Sequence, residues 1–295
     1  MRQLLAIAAS LRPKQWTKNL VVFAGLIFSR NFRDNELLFR SVEAFAIFCL
    51  LSGVIYLIND VADMEKDRVH PIKRFRPLAL GLLNRSTAII AALVLTAFAL
   101  LWASTLGPAF LLVACLFTAL NLVYSFGLKR IVLLDVASIS LSFVLRAIAG
   151  VEALRGADPG IAISPWLLIC TLFLSLLLAF CKRRHELVNI EDAVSHRESL
   201  QEYSPALLDQ LVGISASGSV LSYSIYTIWP ETVEKFGTGN LVYTVPLVLI
   251  GIMRYLYLVY KKEKGGSPSD LLLHEKFLLV DVVAWIVLVI VILGA

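Results

Sequence analysis

The stretch that decides the fold covers residues 44–67 and reads AFAIFCLLSGVIYLINDVADMEKD. Its first part belongs to an apolar segment, residues 37–59, that is long enough to cross a bilayer, since about 20 apolar residues span the hydrocarbon core as a helix. Its second part places Asp60, Asp63 and Asp67 directly after that segment. A membrane helix that ends in a cluster of acids indicates chemistry at one face of a membrane protein.

The composition extends this interpretation to the whole chain. Of its 295 residues, 58% are hydrophobic and 17% are charged, and the mean hydropathy is +0.79. A soluble domain has about a quarter of its residues charged, so the composition excludes a soluble globular protein, a disordered chain and a secreted disulfide scaffold. The four cysteines fall in or beside apolar segments without metal-type spacing, and we interpret them as reduced packing residues.

Nine apolar segments predict an all-α polytopic membrane protein whose single domain covers residues 1–295. The segments are too long and too uniformly apolar to be strands of a membrane barrel. The predicted spans are residues 17–33, 37–59, 86–105, 107–125, 131–150, 164–181, 207–229, 241–260 and 276–294.

Lysine and arginine concentrate in alternate connections between these segments. The positive-inside rule then places the N-terminus in the cytoplasm and the C-terminus outside the inner (plasma) membrane. We expect residues 1–18 to form an in-plane helix that leads into the first span, rather than a cleaved signal peptide. Because the basic residues follow the membrane topology, the net charge of +5 does not indicate nucleic-acid binding. The cytoplasmic connections that we expect to carry the active site are residues 60–85, 126–130, 182–204 and 261–275.

The aspartate motif is the strongest functional signal. If the helix continues through it at 100° per residue, Asn59, Asp60, Asp63 and Asp67 fall within a sector of about 100°. Oxygen ligands on one face at the mouth of a span suit Mg²⁺, which takes one or two carboxylates and completes its shell with water and substrate phosphates. We therefore predict that these four residues bind magnesium, against the alternative of a solvated helix end.

A basic string follows the acids. It is bracketed by Pro71 and Pro77, which predict a shaped loop rather than a helix, and it contains Lys73, Arg74 and Arg76. Carboxylate-bound metal on one side and cationic side chains on the other suit a diphosphate. The alternative is a patch that sets topology or contacts lipid headgroups.

With its acidic motif at the cytoplasmic end of the second of nine predicted helices, the sequence resembles the UbiA superfamily of intramembrane prenyltransferases over essentially its whole length. The resemblance implies a helical bundle around a cytoplasm-facing polar cavity that is open to lipid. In that cavity, Mg²⁺ held by aspartates would activate a diphosphate leaving group. Most members carry a second aspartate motif after the sixth span, whereas this chain reads FCKRRHEL at residues 180–187.

Three segments resemble the phosphoribosyl-transferring branch of that superfamily: residues 12–19 (RPKQWTKN), 124–130 (YSFGLKR) and 180–187. The resemblance implies inverting transfer of 5-phosphoribose from phosphoribosyl pyrophosphate to a polyprenyl (decaprenyl) phosphate, for cell-wall arabinan synthesis. An electrostatic argument agrees, because bringing two polyanionic substrates together requires cations on the protein. The acceptor phosphate is already ionised near pH 7, so we assign no histidine as a general base.

Roles for individual residues follow from the motif and the resemblance together. The predicted catalytic residues are Asp60, Asp63, Asp67 and Lys129. The predicted substrate-binding residues are Lys14, Lys18, Asn59, Lys73, Arg74, Arg76, Tyr124, Lys182, Arg183 and Arg184. The two lysines of segment 12–19, together with Lys182 and Arg183, are candidates for binding the acceptor phosphate or the 5-phosphate, and the sequence does not separate these two roles.

Five further ionisable residues lie within the predicted spans. Glu43 and Arg146 are near the outer ends of their spans, where a structural ion pair or snorkelling is favoured. Asp135, Arg254 and Asp281 are nearer the cytoplasmic ends, where structural pairing and a place in the active-site wall are equally open.

Three rival functions stand beside phosphoribosyl transfer. A prenyltransferase of the same fold accounts for the intact first motif but not for the missing second one. A secondary transporter would place broken helices and charges at the bilayer midplane, often in inverted repeats, and the sequence shows no repeat. A non-catalytic scaffold leaves the aspartate motif unexplained. No pattern in the sequence assigns an oligomeric state.

Overall fold

The computed structural model describes residues 2–29, 33–69, 71, 73–189, 198–268, 271 and 274–294. Within these residues every regular element is helical and no strand occurs, as the sequence predicts. The chain divides into two compact units, the first comprising Met1–Phe126 and Leu145–Ala162 and the second Gly127–Val144 and Ile163–Ala295. Residues 70 and 72 of the basic string, parts of the predicted connections 182–204 and 261–275, and the C-terminal residue lie outside the described residues.

The α-helices are numbered here in chain order. They are α1 (Arg2–Ser10), α2 (Ala24–Phe28), α3 (Asn35–Ala62), α4 (Met64–Val69), α5 (Arg85–Thr105), α6 (Pro108–Phe126), α7 (Leu134–Arg155), α8 (Pro165–Asn189), α9 (Pro205–Ile228), α10 (Pro230–Phe236), α11 (Val245–Lys261) and α12 (Lys276–Gly294). Short 3₁₀ helices cover Pro13–Phe23, Lys73–Phe75, Leu128–Arg130, Glu198–Glu202 and Asn240–Thr244.

Eight helices among the described residues are long and apolar enough to cross a membrane, which makes the chain a multi-pass membrane protein. They correspond to the second to ninth predicted spans. The first predicted span, residues 17–33, is not among them. Its described part forms the 3₁₀ helix Pro13–Phe23 and then the short α2, and residues 30–32 lie outside the described residues. The predicted in-plane helix over residues 1–18 is also interrupted, since α1 ends at Ser10 and Arg12 turns the chain with a left-handed φ of 51°.

In unit 1, α3 is the central helix and contacts α1, the 3₁₀ helix Pro13–Phe23, α5 and α6. It begins where the Asp34 carboxylate accepts hydrogen bonds from the first free N–H groups of the helix. Its buried face includes Phe48, which packs against Phe117 of α6. Gly150 of α7 permits a close approach of the 3₁₀ helix, because a Cβ at this position would lie 2.0 Å from the carbonyl oxygen of Val22.

In unit 2, α8 and α9 pack along each other, and α11 contacts both α9 and α12. Helix α9 begins at Pro205, and the Ser204 hydroxyl accepts a hydrogen bond from the Leu207 N–H as its N-cap. The core of the unit contains Leu177 of α8 and Leu208 of α9 among its buried residues.

Helix α8 extends to Asn189, so the first part of the predicted connection 182–204 is helical. The apolar pattern stops at the membrane boundary, but the helix continues because neither glycine nor proline occurs between Pro165 and Asn189. Glu186 also pairs with Lys182 and Arg183 at helical spacing, which supports the added turns.

Candidate active site

The aspartate motif lies where α3 ends. The helix stops at Ala62, and Asp63 adopts a non-helical conformation before α4 begins at Met64. The predicted uninterrupted helix is therefore wrong in detail, yet the helical spacing persists. The Asp63 N–H bonds to the Asn59 carbonyl and the Asp67 N–H bonds to the Asp63 carbonyl, both at i−4. The break in the helix therefore leaves the aspartates of the motif along nearly the same side of the chain.

Two of the three aspartates are buried and neutralised by arginines. Asp60 is 1% exposed and Asp67 is 3% exposed. The Arg76 guanidinium bridges them, with Nη1 2.6 Å from Oδ2 of Asp67 and 3.1 Å from Oδ1 of Asp60. Arg12 donates a hydrogen bond to the same Oδ1 of Asp60, and its guanidinium lies 4.8 Å from the ring centroid of Tyr56. Arg76 of the basic string therefore pairs directly with the acids, whereas the sequence predicts a diphosphate between the two groups, and its contact with that diphosphate stays a prediction.

The donor set fits a divalent cation. Oδ2 of Asp60 is buried and has no hydrogen-bond partner within the described part of the chain, which leaves a carboxylate oxygen available for a ligand. No group of three or more acidic, histidine or cysteine side chains suited to a metal ion occurs among the described residues. Mg²⁺ commonly takes only one or two protein carboxylates and obtains its other ligands from water and phosphates, so Asp60 and Asp67 fit this requirement. All four predicted ligands, Asn59, Asp60, Asp63 and Asp67, stay a prediction.

The other predicted residues of unit 1 differ in exposure. Arg74 is exposed and its guanidinium stacks on Phe75, 4.9 Å from the ring centroid. Lys73, on the same 3₁₀ turn, is half-buried. In the 3₁₀ helix Pro13–Phe23, Lys14 is exposed and Lys18 is half-buried. Tyr124 is half-buried near the end of α6.

In unit 2, Arg183 is buried among acidic side chains. It is 1% exposed, and its Nε donates to Oδ2 of Asp135, 2.8 Å away, while Nη1 donates to Glu186. Asp135 is itself fully buried and accepts further hydrogen bonds from the Ser199 and Tyr203 hydroxyls, at 3.2 and 2.8 Å. These contacts make Arg183 part of a buried structural network. These contacts favour a structural role for Arg183, and its predicted substrate contact stays a prediction.

Tyr203 closes this network. Burial, followed by the neighbouring Asp135 carboxylate, raises the pKa of Tyr203, so its hydroxyl stays protonated and donates to that carboxylate. The same hydroxyl accepts a hydrogen bond from the Leu133 N–H at 2.8 Å. Of the two roles left open for Asp135, the contacts identify structural pairing.

The neighbouring cations of α8 are also balanced. Arg184 donates to Asp209 and lies 4.1 Å from the Tyr260 ring centroid, and Lys182 is 3.9 Å from Glu186. Three cations therefore face three acids, Asp135, Glu186 and Asp209, so this part of α8 has no surplus of positive charge. Phosphate binding by Lys182, Arg183 and Arg184 stays a prediction, and each of the three cations has an acidic partner in this structure. Lys129 is half-buried on the 3₁₀ turn Leu128–Arg130.

Three of the four remaining ionisable residues of the spans have polar partners, and the two roles left open for Asp281 stay a prediction. Glu43 accepts a hydrogen bond from the Trp102 indole at 3.1 Å, and Arg146 donates to Asn19 at 2.7 Å. Arg254 donates to Glu275 at 2.6 Å, and this contact, followed by the Leu278 N–H, lowers the pKa of Glu275. The residues that sequence reasoning missed are Arg12 and the partners of Arg183. For Arg12 the available signal was a basic residue directly before Pro13, at a turn between two helical segments.

Comparisons with known proteins agree with this picture. The model of the UbiA prenyltransferase family matches residues 20–274. The chain is 35% identical to decaprenyl-phosphate phosphoribosyltransferase of Corynebacterium glutamicum, over 94% of this chain and 83% of that protein. It is 33% identical to the enzyme of the same name from Mycobacterium tuberculosis (strain CDC 1551 / Oshkosh), over 95% of this chain and 91% of that protein. The solved structure of a UbiA homolog from Archaeoglobus fulgidus bound to GPP and Mg²⁺ superposes with a TM-score of 0.73 at 16% identity, over 98% of this chain and 100% of that one.

Proposed function

Because the chain belongs to the UbiA prenyltransferase family and is a transferase, we propose that it transfers 5-phosphoribose from phosphoribosyl pyrophosphate to a polyprenyl phosphate, with decaprenyl phosphate as the expected acceptor. The products are polyprenylphosphoryl-5-phosphoribose and diphosphate. The observation that carries this proposal is the 33–35% identity, over 94–95% of the chain, to relatives named decaprenyl-phosphate phosphoribosyltransferase. We further propose that the product feeds cell-wall arabinan synthesis.

The aspartate end of α3 would bind the leaving group. Asp60 and Asp67, with Asn59 and Asp63, would hold Mg²⁺, and bound Mg²⁺ would supply Lewis-acid support for the departing diphosphate. Mg²⁺ in the solved structure of a UbiA homolog supports this choice of metal. Arg76 lies against both buried aspartates, so it is placed to neutralise diphosphate oxygens. The exposed Arg74 and half-buried Lys73 extend the same cationic surface.

The proposed reaction is a substitution at the anomeric carbon. The bond from C1 to the diphosphate oxygen breaks through an oxocarbenium-like transition state, and an oxygen of the lipid phosphate forms the new bond from the opposite face. The acceptor is already an anion near pH 7, so no side chain has to remove a proton from it. Tyr124 stays a proposed substrate-binding residue, and Lys129 stays a proposed catalytic residue. Lys14, Lys18 and Lys182 stay candidates for the acceptor phosphate or the 5-phosphate.

Residues 180–187, where most family members carry a second aspartate motif, support a donor other than a prenyl diphosphate. The acids of a second aspartate motif are absent from residues 180–187 except for Glu186, and Glu186 is paired with Arg183. An allylic diphosphate that binds between two aspartate motifs would therefore lack one of its two binding motifs in this chain. The intact first motif, however, also suits a UbiA-type prenyltransferase acting on an aromatic or lipid acceptor, which is the second candidate.

Diphosphate release by the purified protein separates the two candidates. One reaction contains phosphoribosyl pyrophosphate with decaprenyl phosphate, and the other contains a prenyl diphosphate with an aromatic acid. We expect Mg²⁺-dependent release that requires both partners in the first reaction only. Release that requires a prenyl diphosphate would support the second candidate.

We also propose a cytoplasmic active site with the N-terminus inside and the C-terminus outside. This topology needs a ninth crossing. The 3₁₀ helix of 11 residues and α2 of 5 residues would extend about 30 Å at roughly 2.0 and 1.5 Å per residue, which is about the thickness of the hydrocarbon core. In a cysteine-free background, an impermeant maleimide added to intact cells should label Gly239→Cys and leave Asn84→Cys unlabelled. The reverse pattern would contradict the orientation.

A further inference from the structure

The turn at Arg12 brings the guanidinium of that residue to Asp60 of the aspartate motif, although Arg12 is not part of the basic string. Arg12 follows α1 and has φ 51° and ψ 63°, a left-handed backbone conformation that residues other than glycine rarely adopt. Its guanidinium lies over the Tyr56 ring, one helical turn before Asp60 on α3, and donates to Oδ1 of Asp60. The strained turn therefore serves to place this one side chain on the most buried acid of the motif.

The charges at this point balance without any metal. Asp60 and Asp67 are buried, and Arg12 and Arg76 are their partners. A divalent cation at Oδ2 of Asp60 would share that carboxylate with Arg12, and it would add two positive charges beside two buried acids that arginines already neutralise. A cation alone is therefore disfavoured there. A metal together with a diphosphate is different, because the anion restores the balance and offers new acceptors to the arginines.

We propose that Arg12 is a resting counter-ion of Asp60 that moves from the carboxylate to the diphosphate when metal and donor bind together. This inference rests on the proposed function in one respect, namely that the donor carries a diphosphate. Arg12 is 28% exposed at its side chain whereas Asp60 is 1% exposed, so the guanidinium reaches the carboxylate from the open side. Its forked N–H donors suit phosphate oxygens as well as a carboxylate.

The consequence is coupling between the two ligands. Arg12 weakens the binding of metal alone and strengthens the binding of diphosphate once the metal is present, so each ligand raises the affinity for the other. Thermodynamic coupling of this kind is reciprocal and typically amounts to about 5- to 150-fold in affinity. Without Arg12, the metal should bind alone more tightly, and the diphosphate should enhance its binding less.

Mn²⁺ binding measured by electron paramagnetic resonance tests this inference in the full-length protein in detergent, with and without inorganic diphosphate. We expect Arg12→Gln to bind Mn²⁺ alone about tenfold more tightly than the unchanged protein, and to lose most of the enhancement by diphosphate. Arg12→Lys should change both values in the same direction and by less, because an ammonium group lacks the forked, stacking geometry. Arg68→Gln is the matched control, since Arg68 is exposed and its ion pair in the described part of α4 is with Glu65, away from the buried aspartates.

The outcomes are distinct. Mn²⁺ affinity in the absence of diphosphate that is unchanged or weaker in Arg12→Gln would overturn the inference, and so would an undiminished enhancement by diphosphate. If Arg12→Gln does not fold, as judged by thermal unfolding, the same two values in Arg12→Lys decide. Inorganic diphosphate is the leaving group for both candidate donors. Failure of phosphoribosyl transfer with the expected Mn²⁺ result would therefore reject the proposed function and leave the role of Arg12 intact.

Discussion

Replacing Arg183 by methionine separates a structural role from a substrate contact. Arg183 and Asp135 are 1% and 0% exposed at their side chains, and their ion pair is 2.8 Å long. Removing one member of a buried pair leaves the other charge uncompensated, which costs about 3–5 kcal/mol. Arg183→Met should therefore lower the free energy of unfolding by about that amount. Each correctly folded molecule should keep nearly its full kcat/KM.

Arg184→Met is the matched control, because it removes the adjacent cation from a more open pair. The Arg184 and Asp209 side chains are 19% and 42% exposed, and pairs of this kind contribute about 0–1 kcal/mol. The assay is unfolding of the purified protein in mixed micelles, followed by kcat/KM normalised to folded protein. A double variant, Asp135→Asn with Arg183→Met, should lose less stability than the sum of its single changes, since both remove the same interaction.

One result would refute this reasoning. If Arg183→Met unfolds like the unchanged protein but loses about ten- to a hundredfold in kcat/KM, the size expected for a lost charge-assisted contact, then Arg183 binds substrate. The buried network would in that case open during the reaction.

Three further predictions follow from single contacts. Asp60→Asn should remain folded and lose about ten- to a hundredfold in transfer activity, because a buried carboxylate ligand is gone, and near-normal turnover at low Mg²⁺ would contradict its role. Gly150→Ala should strongly destabilise the protein in thermal unfolding, because the new Cβ would lie 2.0 Å from a backbone carbonyl oxygen. Gly213→Ala, whose new Cβ has nothing within 4 Å, should be neutral or slightly stabilising, and equal effects of the two changes would contradict this packing. The hydrogen bond from Arg254 is the first cause of the lowered pKa of Glu275, so this group contributes stability that is present above its ordinary pKa of 4.5 and is lost as pH falls below it. Glu275→Gln should therefore show a smaller loss of stability at acid pH when unfolding is measured against pH, and an unchanged profile would exclude this linkage.

The sequence predicts the helical spans and the aspartate motif well because both are local patterns. Eight of the predicted spans recur as helices, and the acids follow the second predicted span as expected. The first span was harder to predict, since Thr17, Lys18 and Asn19 interrupt its apolar pattern and the chain forms a 3₁₀ helix there.

The pairing of charged side chains was not predicted where the two partners are far apart in the sequence. The run Lys182-Arg183-Arg184 resembles a surplus of positive charge when it is considered alone. Asp135, however, is 48 residues from Arg183 in sequence, and Asp209 is 25 residues from Arg184. Arg12 is likewise 48 residues from Asp60 and reaches it through a left-handed turn. No local pattern encodes such partners, so the balance of charge emerges only from the folded chain.

The most direct test of the central claim is the identity of the lipid product. Purified protein is incubated with Mg²⁺, decaprenyl phosphate and phosphoribosyl pyrophosphate labelled in the ribose, with Asp60→Asn as the blank, and the organic phase is analysed by mass spectrometry. The account predicts labelled decaprenylphosphoryl-5-phosphoribose that depends on the enzyme and on both substrates. Label that stays in the aqueous phase, while the same preparation prenylates an acceptor from a prenyl diphosphate, would contradict it.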